Sequence, residues 1–151
     1  MSTSERLAEL GIALPPPIPP VAAYVPALRS GSLVFTSGQV PLRGGELVAA
    51  GKVGAEVSTE DAYECARVCA LNALSAIDAL VGIDAVVRVV KVLGFVASAS
   101  TFTDQPQVIN GASELLVEVF GENGRHARSA VGMAALPLDS PVEVEIVVEV
   151  S

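Results

Sequence analysis

The chain is predicted to fold as an α+β domain, a mixed β-sheet with two helices packed on one face, and three observations carry that prediction. The segments run strand, strand, helix, strand, helix, strand, strand, with no internal repeat and no linker. The length, 151 residues, is that of one domain able to bury about 70% of its unfolded surface. The hydrophobic share is 51% with only 4% aromatics, and the mean hydropathy is +0.55. That apolar mass is mainly Ala, Val and Leu, which suits a sheet closely covered by helices. It also exceeds what so small a domain hides alone, so burial between subunits is expected.

Residues 1–20 read as a short amphipathic opening and a proline-rich arm, Leu14 to Pro20, ahead of a single domain over 21–151. Proline locks φ and removes a donor, so the arm is extended; it is either a free tail or docked through Leu14 and Ile18. Val21 to Leu28 and Leu33 to Val40 are strand-like runs around the turn Arg29-Ser30-Gly31-Ser32. Pro41 ends the second, and Arg43 to Glu46 marks another turn before a weak segment, Leu47 to Ala50.

Ser58-Thr59-Glu60-Asp61 starts a helix, with a hydroxyl cap and acidic residues in the first turn. Ala62, Cys65, Ala66, Cys69, Ala73, Ala76, Ile77 and Leu80 then recur at helical spacing up to Gly82. Val86 to Ser98 is rich in β-branched residues and nearly continuous in apolarity. It reads as a central strand, buried on both sides or at a subunit contact. Thr103-Asp104 opens a second helix over about 105–120, with Val108, Leu115, Leu116 and Val119 inward and Gly121 closing it. Ala127 to Leu136 and Val142 to Val150 are the last strands.

Composition narrows the function classes. A net charge of −8 and nine scattered Lys and Arg residues argue against a nucleic-acid surface. The apolar stretch Val81 to Ala99 contains Asp84, Arg88 and Lys91 and is too interrupted to span a membrane. Glu5, Arg6 and Glu9 stand where a signal peptide would be basic and then apolar, and a cytoplasmic location is expected. Cys65 and Cys69 share one helix face; with no second soft pair they read as core packing rather than a metal site.

Most of the chemistry points to Arg125-His126-Ala127-Arg128-Ser129-Ala130-Val131-Gly132, which holds two arginines and the only histidine. Alternation along a strand puts Arg128 on one face with Ala130, Gly132 and Ala134. A guanidinium beside very small residues makes a place for a small carboxylate held by a bidentate fork. Glu143 or Glu145, brought near in a hairpin, would instead make Arg128 half of an ordinary cross-strand ion pair. His126 is either a proton carrier tuning the site or a capping residue, and Arg125 is equally open.

The segment ARSAVGMAALPLDSPVEVEI, together with Phe35-Thr36-Ser37-Gly38-Gln39-Val40-Pro41 and Asn110, resembles the RidA (YjgF) family. These are the reactive-intermediate deaminases, also known by the older name L-PSP endoribonucleases, and the likeness covers about residues 20–150. The resemblance implies a chorismate-mutase-like fold, assembly as a homotrimer, and a ligand site in each cleft between neighbours, with no metal or organic cofactor. It places the carboxylate-binding arginine on Arg128, the site glutamate on Glu143 and the aromatic wall on Tyr24. The serine-glycine and asparagine positions fall on Ser37, Gly38 and Asn110, and Ala130 stands where many of the deaminases have cysteine. The implied activity is hydrolysis of small 2-imino or enamine acids of the 2-aminoacrylate type to 2-oxo acids and ammonia. A non-catalytic carboxylate-binding or regulatory trimer is the alternative, and RNA cleavage a third. Arg125 and His126 lie outside the common pattern and are candidate modulators.

Overall fold

The structure, a computed structural model, describes residues 1–20 and 22–151. Its main sheet has five strands: β1 (Ala27–Ser30), β2 (Leu33–Thr36), β5 (Val86–Ala97), β6 (Ala127–Met133) and β7 (Val142–Val150), in the order β1-β2-β7-β5-β6. A two-stranded ribbon, β3 (Leu42–Arg43) with β4 (Glu46–Leu47), lies apart from it. Helices α2 (Thr59–Val81) and α3 (Gln105–Phe120) cover one face of the sheet, and a short α1 (Thr3–Glu9) packs on α3. This is the expected α+β arrangement with two long helices, to which the structure adds α1 and the ribbon.

Both long helices form where their end signals stand. Ser58 accepts a hydrogen bond from the Asp61 N–H, and Gly82 ends α2 at φ 83°. Asp104 is the N-cap residue of α3 without a side-chain bond, and Gly121 ends it at φ 62°. The α2 stripe is nearly all alanine and cysteine; Ala62, Cys65, Ala66, Cys69, Ala70 and Ala73 are fully buried. Burial raises the Cys65 thiol to about 11 and Cys69 well above its ordinary value, so both are un-ionised packing groups. The small stripe lets α3 come close: a Cβ on Gly111 would run into the Tyr63 carbonyl of α2. Gly111→Ala is therefore expected to destabilise by about 2–3 kcal/mol, read as a lower urea midpoint at unchanged slope.

Strand β7 alternates cleanly. Val142, Val144, Ile146, Val148 and Val150 are buried under the helices, and Glu143, Glu145, Val147 and Glu149 point to the other face. Strand β5 is interior, next to the edge strand rather than at the centre, which β7 holds; it is paired antiparallel to β7 and parallel to β6. It is not buried on both sides in this chain: two register shifts insert Val87 and Val90 as exposed bulge residues, while Leu93 and Phe95 are half-buried on the face away from the helices. The continuous apolar run thus comes from bulges and from a second, uncovered apolar face. That face also carries Leu28, Phe35, Val131 and Met133, all exposed.

The first strand differs from the sequence expectation. Val21 lies outside the described residues, 22–26 are irregular, and β1 begins only at Ala27, after Pro26. Proline lacks the N–H a paired strand needs, so pairing starts beyond it. The turn is the two residues Gly31-Ser32, with Gly31 alone at positive φ (61°), the type II′ pattern. The arm lies against the domain: Leu14 packs on the core, and the Pro15 carbonyl accepts a hydrogen bond from the Ser75 hydroxyl of α2. Among the described residues no helix is long and apolar enough to cross a membrane.

Candidate functional site

The sequence-derived residues fall into two groups. The first is built by β6 and the first turns of α3. Register with β5 puts Arg128 and Ala130 on the helix-covered face, opposite Val92 and Gly94. Arg128 reaches up to α3, where Nη1 donates to Asn110 Oδ1 at 2.8 Å and Ser113 Oγ at 3.2 Å, and Nη2 to the Pro106 carbonyl at 3.4 Å. All three acceptors are neutral. Among the described residues no carboxylate oxygen lies within 4.0 Å of the guanidinium. Arg128 is thus a partly buried cation, aimed by hydrogen bonds and left un-neutralised.

His126 continues this chain of bonds. Its Nδ1 is 2.6 Å from the Gly124 carbonyl and its Nε2 is 2.8 Å from Ser113 Oγ. A carbonyl only accepts, so the proton is assigned to Nδ1; Nε2 then accepts from the Ser113 hydroxyl, whose oxygen accepts from Arg128. Burial, and then the Arg128 charge, push the histidine below its ordinary value and favour this neutral tautomer, against the opposing pull of the Gly124 bond. Ser113 was not singled out in the sequence. It lies three residues beyond Asn110, one helical turn along the same face, and that spacing is the signal that finds it. Ser113→Ala is expected to weaken the binding of a small carboxylate, read by calorimetry, about 2–10-fold, since it removes one net hydrogen bond that aims Arg128.

The open hollow expected beside Arg128 is filled. Ala130 packs against the core, Gln105 Nε2 stands 2.8 Å from where a Gly132 Cβ would be, and Ala134 lies past the end of β6. The small residues make room for α3 itself. Arg125 is exposed and paired with Glu122 at 3.1 Å, away from this group.

The second group surrounds a pocket of about 330 Å³ on another part of the surface, lined by Tyr24, Gly38, Gln39 and Glu143 among other residues. Glu143 is on the uncovered face of β7, and the strand-like segment around Gln39 runs beside it through paired Gln39 and Val144 backbone bonds. Gly38 abuts the Glu143 carboxylate so closely that a Cβ would displace it. Burial, and then the neighbouring Glu145 charge, raise Glu143 above its ordinary value of 4.5. Ser37 donates its hydroxyl to the Val25 carbonyl at 2.6 Å, which ties down the loop carrying Tyr24. Leu138, also in the lining, is 68% exposed and stands at φ 62°, with Asp139 next to it at 58°. Two consecutive left-handed non-glycine residues are strained, and such strain collects at functional sites.

The expected hairpin that would bring Glu143 or Glu145 to Arg128 does not form. Strand β5 lies between β6 and β7, and the register puts Arg128 on the helix-covered face and Glu143 on the opposite one. The ion-pair alternative for Arg128 falls with it. Within one chain the arginine group and the glutamate pocket are two separate groups.

The fold agrees with comparisons to known proteins. Residues 4–150 match the family described as "YjgF/chorismate_mutase-like, putative endoribonuclease", and the chain belongs to that family. It is similar to Protein TCP17 of Trypanosoma cruzi, at 44% identity over 97% of this chain and 92% of that protein. It is also similar to the crystal structure of Atu1372, a protein of unknown function from Agrobacterium tumefaciens. That match has 44% identity and a TM-score of 0.90 over 99% of this chain and 92% of the other, so the N-terminal arm is included. A third relative is E. coli TdcF with bound serine, at 26% identity and TM-score 0.63 over 90% of this chain and 94% of that one.

Proposed function

We propose that the protein is a cofactor-free hydrolase of small 2-imino acids, working as a homotrimer in which the arginine group of one subunit meets the glutamate pocket of its neighbour. The observation that carries this reading is Arg128: a partly buried guanidinium, fixed by neutral oxygens, with no carboxylate beside it among the described residues. A ligand carboxylate is the natural complement. The bound serine of TdcF supports a ligand of amino-acid size and charge. The uncovered apolar face, with Phe35 and Val131 each 42% exposed, supports the assembly.

In this mechanism Arg128 grips the substrate carboxylate, with Asn110 and Ser113 holding the guanidinium in place and Ala130 beneath it. Tyr24, Ser37 and Gly38 bound the neighbour's side of the cleft. Water adds to the imine carbon, its oxygen forming the new C–O bond, while Glu143 takes a water proton and returns it to nitrogen. Glu143 then moves the proton of the new hydroxyl to nitrogen as the C–N bond breaks and C=O forms, so that imino acid and water give 2-oxo acid and ammonia. Such imines hydrolyse readily in water, so positioning and one proton carrier are a sufficient catalytic apparatus. The two un-ionised cysteines fit a reducing, cytoplasmic setting for this work.

The test is to generate imino acids in situ with an amino-acid oxidase or dehydratase and follow oxo-acid formation. Acceleration over buffer is expected; no acceleration with any small imino acid, alongside retained oxo-acid binding, would leave a carboxylate-binding regulatory trimer. RNA cleavage, the activity in the family's description, fits poorly with a net charge of −8.

A further inference from the structure

The Glu143 pocket extends beyond what a methyl side chain needs, and its extension is apolar. Apart from Tyr24, Gln39 and Glu143, the side chains lining it are aliphatic. Ile18, Pro19 and Pro20 of the N-terminal arm form part of this lining, and Leu138 another part. Leu14 is packed on the core and the Pro15 carbonyl is bonded to Ser75, so Ile18 follows two nearby anchors through φ-locked prolines. Leu138 is exposed in a left-handed backbone held by two bonds, Gly51 N–H to the Asp139 carbonyl at 2.8 Å and Ser140 N–H to the Pro137 carbonyl at 3.0 Å. An apolar side chain held in solvent against backbone preference has no core of its own chain to serve, and its place in the pocket lining points to a ligand as its partner. The pocket's 330 Å³ lies at the small end of ligand cavities, a size for a single amino-acid-like molecule.

We infer that the proline-rich arm and Leu138 form the subsite for the ligand's side chain, selecting 2-imino and 2-oxo acids with an apolar side chain of three or more carbons over the alanine-sized ones. For its reaction the inference rests on the imine-hydrolase reading above, but the ligand preference stands independently of it. A polar side chain would be desolvated here without partners, and a methyl group would leave the wall unfilled.

The experiment has two arms. Imines generated from alanine, norvaline and leucine are compared by kcat/KM, and pyruvate and 4-methyl-2-oxopentanoate are compared by calorimetric binding. The leucine-derived imine is expected to be preferred over the alanine-derived one by about tenfold or more, and the larger oxo acid to bind tighter by a similar factor. Ile18→Ala and Leu138→Asn should each bring both ratios to within about threefold of unity. Asparagine tolerates the left-handed backbone, so Leu138→Asn removes the apolar contact without straining the turn further. Equal kcat/KM for the two imines, or ratios that neither variant moves, would overturn the subsite. If no imine is accelerated but the binding preference and its sensitivity to both variants persist, the hydrolase reading falls and the subsite stands.

Discussion

Arg128→Ala is expected to lower kcat/KM for 2-imino acids by roughly a thousandfold and to abolish oxo-acid binding in calorimetry, with the fold retained. Charge-assisted bonds to a carboxylate are each worth about 1.5–3 kcal/mol, and a bidentate grip makes two of them. The fold survives because the partners left behind, Asn110, Ser113 and the Pro106 carbonyl, are neutral and reachable by water, and no buried charge is stranded. Arg128→Lys keeps the charge but loses the fork, so it should recover only part of the loss. Activity undiminished in Arg128→Ala would show that the carboxylate is anchored elsewhere. Circular dichroism and size-exclusion chromatography on the same sample separate this result from unfolding or a change of oligomeric state.

The second large effect is expected at Glu143. Glu143→Gln should reduce kcat by about a hundredfold or more, the usual contribution of a positioned proton carrier, with a smaller change in KM. The pH profile is the sharper readout. Burial and Glu145 raise the Glu143 carboxyl, so its active, ionised form is lost as pH falls at a point above the ordinary 4.5. The acid limb of kcat/KM should therefore lie above that value and disappear in Glu143→Gln. The linked stability has the opposite sense: a raised carboxyl favours the neutral form in the folded state, so its contribution is complete below the unfolded value and is lost as pH rises through the folded one. An acid limb identical in the two proteins would remove Glu143 from the chemistry.

Helices were the most legible part of the chain. Ser58, the alanine and cysteine stripe and Gly82 bound α2 by local chemistry alone, and Asp104 and Gly121 do the same for α3. Strands were less so. Val21 to Leu28 has the composition of a strand, yet pairing begins after Pro26, and the apolar run of β5 reflects two bulges that only its partner's register produces. The candidate site shows the same split. Arg128 and Asn110 stand together in one group, and Glu143, Tyr24 and Gly38 in another, while Ser113, Ile18 and Leu138 acquire meaning from what stands beside them.

Period, caps and turn residues are properties of neighbours along the chain, so they report helices, an alternating β7 and a small-residue α2 without any knowledge of the fold. Which strands lie side by side is a non-local matter, governed by burial and by the parallel pairing of β6 with β5. That pairing inserts β5 between Arg128 and Glu143 and turns them to opposite faces. It thereby leaves the arginine without an acidic partner among the described residues, and it leaves an apolar face and an arm-walled pocket exposed on the other side.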